Sequence, residues 1–142
     1  MSSLIYNSFK RLALGGTNVD FVNDDIKIAL VTSAYIPDQD ANAMFSDITN
    51  EVVGTGYTAC GESLTTKVVA QDNTLNRGTF MADNVNWPSS TITARGAVLY
   101  KDTGTPSTSP VIGYFDFGVD KISLNETFTI QWSAVNKILF AQ

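Results

Sequence analysis

The residues of this chain that could do chemistry fall into three short constellations. Asp38, Asp40 and Asn42 stand at the spacing D-x-D-x-N, the first three ligand positions of a calcium loop. Gly54, Gly56 and Ala59 lie in NEVVGTGYTACGESL (Asn50–Leu64), after two valines, and satisfy G-x-G-x-x-A. That is the spacing of a turn that cradles a dinucleotide pyrophosphate. Arg95 sits inside an alternating run, TITARGAVLYK (Thr91–Lys101), where a buried guanidinium needs a carboxylate partner.

Context weakens the first two. The calcium pattern next requires Gly and has Ala43, and its last position requires Glu and has Thr49. The simpler reading is an acidic turn after Pro37. A looser cation site, joining Asp38 and Asp40 to Asp47 or Glu51, stays as the alternative. The glycine pattern requires a helix opening at Ala59, because the helix N-terminus holds the phosphates. CGESLTTKVV follows instead, a glycine and then a β-branched run that starts a strand. Gly54, Gly56 and Tyr57 are therefore read as a structural loop crossing a β-structure and as a candidate contact loop. For Arg95 the candidate partners are Asp116 and Asp83. An ion pair tying two strands is the expected role, and anchoring of a partner protein is the functional alternative.

The chain has 142 residues and no histidine, which removes the usual general base, the usual partner of a Ser or Cys nucleophile and the commonest zinc ligand. No G-x-S-x-G, P-loop or marked carboxylate pair replaces it. A carboxylate-based hydrolase would need two carboxyls about 5–9.5 Å apart in a cleft. No catalytic, cofactor-binding or metal-ligating residue is assigned, and no enzyme activity is expected. Cys60 is the lone cysteine, so no intrachain disulfide can form, and it is read as a small hydrophobe. Nine Lys and Arg against 14 Asp and Glu leave a net charge of −5, with the cations scattered. Nothing resembles a phosphate-binding stripe, and no nucleic-acid partner is expected. Apolar runs such as Ile28–Val31 are too short to span a bilayer, and the N-terminus lacks a secretory pattern. No membrane partner and assembly in a cytoplasm are expected. Only 16% of residues are charged, against about 25% in average domains. A surface of neutral polar groups, part of it facing other protein, follows.

These residues must be positioned by one domain, residues 1–142, since this length builds a single core. Residues 1–16 read as a helix and turn, with Ser3 as cap, Lys10 and Arg11 in the last turns, and Gly15-Gly16 as the stop. IKIALVTS (Ile26–Ser33) reads as a central strand buried on both faces. Residues 34–63 form an irregular loop region in which NAMFSDI (Asn42–Ile48) has room for a turn or two of helix. Thr65–Ala70 and Gly78–Ala82 read as a hairpin across QDNTLNR. Val85–Trp87 reads as a short strand ending at Pro88. Thr91–Lys101 places Ile92, Ala94, Gly96, Val98 and Tyr100 on one face, with Thr93, Arg95, Ala97, Leu99 and Lys101 on the other. VIGYFDFG, FTIQWS and KILFAQ supply further short strands. Trp87, Trp132, Phe115, Phe117 and Phe128 read as core. Six to eight short strands and one helix indicate a mainly β protein, an antiparallel sandwich or jelly-roll-like domain.

Several phrases together carry a kinship: IKIALVTSAY, VVGTGYTACGESL, and TITARGAVLY with GYFDFG. With the N-terminal helix and the closing FTIQWSAVNKILFAQ, the chain from about Leu4 to Phe140 resembles small structural proteins encoded among the virion genes of tailed bacteriophages. The resemblance implies a β-sandwich unit of the virion, and capsid decoration (cement) on the outside of the head. The implied partners are the major capsid protein lattice and two further copies in a homotrimer. It carries no catalytic residues. A tail or head–tail component is the alternative, including a glycan- or receptor-binding module that would use loop aromatics such as Tyr35 and Tyr57. The segment Met1–Leu14 is a candidate anchor, to the shell or to its own sandwich.

Overall fold

The structure, a computed structural model, describes residues 2–16 and 19–141. Met1 of the anchor segment and Gln142 of the last strand lie outside them. The elements in order are β1 (Leu4–Ile5), α1 (Asn7–Leu14), β2 (Ile26–Val31), β3 (Glu62–Ser63), β4 (Val68–Asp72), β5 (Arg77–Met81), β6 (Val85–Lys101), β7 (Val111–Ile130) and β8 (Leu139–Ala141). Two antiparallel sheets result, a five-stranded one ordered β1-β7-β6-β2-β3 and a three-stranded one ordered β4-β5-β8. The protein is mainly β, with one α-helix among the described residues and a sandwich-like arrangement.

The larger sheet is buried on both faces around β2, which is why β2 is apolar at successive positions. Ile26, Ile28, Leu30, Leu99 and Ile112 face the smaller sheet and pack with Phe80 and Ala82. Ala29, Val31, Val98 and Tyr100 face the other way and are covered by Tyr35 and Phe45. The irregular 34–63 region is thus a second lid on the sheet, and its one helical turn is a short 3-10 segment at Phe45–Asp47. Each such buried aliphatic side chain stabilises by about 1.5–3 kcal/mol. The β4–β5 hairpin forms as its turn residues indicate.

Four expectations need correction. The helix starts at Asn7, after Tyr6, and no side chain caps it. Leu4 and Ile5 pair instead with Tyr114 and Gly113, and the Ser3 hydroxyl accepts the Asp116 amide. Pairing with β7 satisfies backbone groups that a helix start would leave free. Second, the strand at Val85 does not end at Pro88. A register shift between Trp87 and Ser90, with Ser89 at φ 50°, absorbs a residue that has no N–H to give. Third, VIGYFDFG and FTIQWS do not supply separate short strands, because GYFDFG and FTI fall in one 20-residue β7.

Fourth, the faces of Thr91–Lys101 exchange partway. Ile92 and Ala94 lie in the inter-sheet core with Ala97 and Leu99, while Val98 and Tyr100 face the 34–63 lid. The exchange falls at an irregularity of the ladder: Ala94 pairs with Lys121 but Gly96 pairs with Asp116, so four residues of β7, Phe117–Asp120, stand opposite Arg95 alone. Arg95 is the residue at the inversion.

Candidate functional site

The glycine loop packs against the large sheet. Val52 donates to the Leu30 carbonyl, and Thr91 donates to the Thr55 carbonyl, so the loop bridges the β2 and β6 edges. Gly54 is pressed on β6: a Cβ there would stand 2.4 Å from the Thr91 oxygen. Gly56 has φ +81° and lies over Ser90. Tyr57 turns inward. Its hydroxyl accepts the Leu30 amide at 3.0 Å and donates to Glu51 Oε1 at 2.6 Å. Glu51 Oε1 also accepts the Cys60 amide, and the Tyr100 hydroxyl donates to the Cys60 carbonyl. Burial first, and then the Glu51 bond, push the Tyr57 phenol far above its ordinary range. What the loop leaves outside is Val53, 98% exposed, with Thr55 and Thr58.

Arg95 pairs with Asp116, Nε to Oδ1 at 3.0 Å, and not with Asp83, which accepts the Thr66 hydroxyl. The Asp116 side chain is 6% exposed and that of Arg95 31%. The Gly118 amide and then the guanidinium hold the Asp116 carboxyl below the usual carboxylate range. The pair ties β6 to β7 at the bulge. Because Asp116 keeps the Gly118 amide and Arg95 is partly solvated, Arg95→Ala is expected to lower stability by about 1–2 kcal/mol. Thermal melts read this, and a melt identical to wild type would show that the pair contributes nothing.

Asp38, Asp40 and Asn42 form a turn. Asp38 Oδ1 accepts the amides of Asp40 and Ala41, and Asp40 Oδ1 accepts the Asn7 side chain. Asn42 Oδ1 accepts the Tyr35 hydroxyl and the Asp38 amide, while Asp47 Oδ2 is taken by the amides of Ala43 and Met44. Asp38 and Asp47 therefore serve the backbone and Asp40 holds the Asn7 side chain. Among the described residues no His, Cys, Asp and Glu group of three or more is placed to hold a metal. Tyr35 is 3% exposed, its hydroxyl bonded to that of Tyr6.

The most open chemistry lies where the sequence raised no motif. An apolar groove of about 670 Å³ runs between α1 and the smaller sheet, lined by Phe9, Leu14, Phe21, Val69 and Phe140, with Lys10 also in its wall. Leu14 is 91% exposed, and Val69 and Phe140 about half exposed. The helix docks by Phe9, which meets the Phe21 ring edge-on, and it buries no residue fully. A second exposed apolar strip, Ile122 and Leu124, lies on the far part of β7. The amphipathic period of residues 4–12 was the available signal for the groove. No signal marked the strip, since Ile122 and Leu124 fall between VIGYFDFG and FTIQWS, where no strand is read. Compared with known protein families, curated proteins and solved structures, the chain has no match.

Proposed function

We propose that this protein is a structural component of a tailed-phage virion that binds the outside of the assembled head as a decoration (cement) protein. The observation that supports this reading is the surface. Groups with chemical potential are spent on holding loops, while large apolar side chains at α1, β4 and the far end of β7 face outward. Exposed apolar area of that kind marks protein–protein contact. The phrases that resemble phage virion proteins name the kind of contact. The partners are the capsid lattice and further copies of the chain in a homotrimer, which suits local threefold positions on a shell. Three equivalent patches per trimer add modest contacts through effective concentration.

Binding only the assembled shell would stabilise it by mass action, by about 2.7 kcal/mol per site at a hundredfold excess over the dissociation constant. The test mixes purified protein with mature shells lacking it and, separately, with unassembled capsid protein, and sediments both. Saturable binding to shells alone, with a raised shell melting temperature, is the expected result. Absence from shells and presence on purified tails would replace this reading with the tail alternative. The glycan-binding form of that alternative has less support, because Tyr35 and Tyr57 are turned inward.

A further inference from the structure

We propose that copies of this chain associate head to tail, with the strip Asp120, Ile122 and Leu124 of one copy seated in the groove beside α1 of the next. The inference rests on the homotrimer reading above and assigns its two surfaces. Both surfaces are apolar and open: Leu14 is 91%, Leu124 72% and Ile122 58% exposed.

They lie on opposite sides of the larger sheet. Ser123 pairs with Ile92, which belongs to the inter-sheet core, and is itself buried. Alternation therefore turns Ile122 and Leu124 to the opposite face, and Asp120, exposed, stands two residues before Ile122. The groove, in contrast, is bounded by β5 and β8 of the smaller sheet, on the core side. One copy cannot bring its own two surfaces together, and a twofold pairing, which needs both surfaces within one patch, cannot match them across opposite sides of the sheet.

Charge gives the direction. Lys10 in the groove wall donates to the Asn7 side-chain oxygen and is in no ion pair among the described residues. Asp120 stands at one end of the strip, likewise in no ion pair there. Lys121, of opposite sign, falls on the other face by the same alternation. Seating the strip sets an apolar pair in an apolar groove and a carboxylate beside an ammonium. A contact between unlike patches is heterologous, and it closes into a ring when the rotation is threefold.

The experiment uses two variants at exposed positions, Leu14→Asp in the groove and Leu124→Asp in the strip, with light scattering after size exclusion. Wild type is expected at the mass of three chains. Each variant alone is expected as a monomer with unchanged melting, its self-association weakened about a hundredfold or more. Mixed, the two are expected to form a one-to-one complex, because each retains the surface the other has lost. Charge reversal is the second arm: Lys10→Glu and Asp120→Lys each weaken association, and the double variant restores it.

A monomeric wild type at high micromolar concentration, variants that still assemble, or a mixture that stays monomeric would each overturn the proposal. Shell sedimentation separates the two readings. Wild type that binds shells as a monomer keeps the decoration role and loses the ring, whereas an intact ring found only on tails does the reverse.

Discussion

Replacing Gly61 by Ala is expected to remove most of the protein's stability, by about 3–5 kcal/mol. Gly61 has φ +77°, a region that disfavours any side chain, and its neighbour Cys60 is already at φ 76°. Sterics dominate. A Cβ at this position would lie 2.0 Å from the Ile28 carbonyl oxygen and 2.8 Å from the Ala29 Cα, both backbone atoms of a central strand. Neither can move without opening the β2 ladder to β6. Gly104→Ala is the control, since Gly104 has φ +88° with nothing within 4 Å of an added Cβ. It is expected to cost about 1–2 kcal/mol, the conformational part alone. Chemical denaturation of both variants separates the two contributions. Equal losses would show that the close approach of residues 60–61 to β2 does not matter.

The second large effect is expected at Tyr57. Tyr57→Phe keeps the ring beside Trp87, 6.0 Å between centroids, but deletes the hydroxyl that accepts from Leu30 and donates to Glu51. Leu30 is fully buried, so its amide has no route to water. Glu51 keeps only the Cys60 amide of the two donors described here. An orphaned buried donor together with a lost charge-assisted bond destabilises by about 2–3 kcal/mol. For a chain of this size that lowers the melting temperature by about 5–10 °C. Thr58→Ala, on the exposed side of the same loop, is expected to leave the melt in place. Should Tyr57→Phe melt like wild type, the loop is held by its glycines and not by this hydroxyl. If Tyr57→Phe instead abolished shell binding without a change in melting, the loop would be a contact surface.

Much of this protein can be read along the chain. Alternating β-branched runs and turn residues specify the β4–β5 hairpin, and the unbroken IALV of β2 shows a strand covered on both faces, because burial on two sides demands apolar residues at successive positions. Arg95 in an alternating run likewise demands a carboxylate, and Asp116 supplies it. Those features depend on near neighbours or on a rule each residue obeys alone.

Other features depend on what comes back across the sheet. Whether Leu4 and Ile5 begin a helix or pair with β7 is a competition between two ways of satisfying the same backbone groups, and only the position of Gly113 and Tyr114 resolves it. Ile92 shares a face with Ala97, and not with Val98, across the irregular stretch where four residues of β7 stand opposite Arg95, and the pattern of β6 by itself contains no trace of that irregularity. Tyr35 and Tyr57 stand among polar residues and read as exposed. Tyr35 is buried and Tyr57 partly so, because the 34–63 segment folds back over β2, where each hydroxyl meets a partner far away in sequence. The sequence by itself determined the mainly β class, the apolar run of β2, the β4–β5 hairpin and the need for a charged pair, since these follow from local period and from the cost of burying a charge. The tertiary structure alone decided register, facing and which apolar residues stay outside, because a side chain's burial is a property of the surface that arrives to cover it.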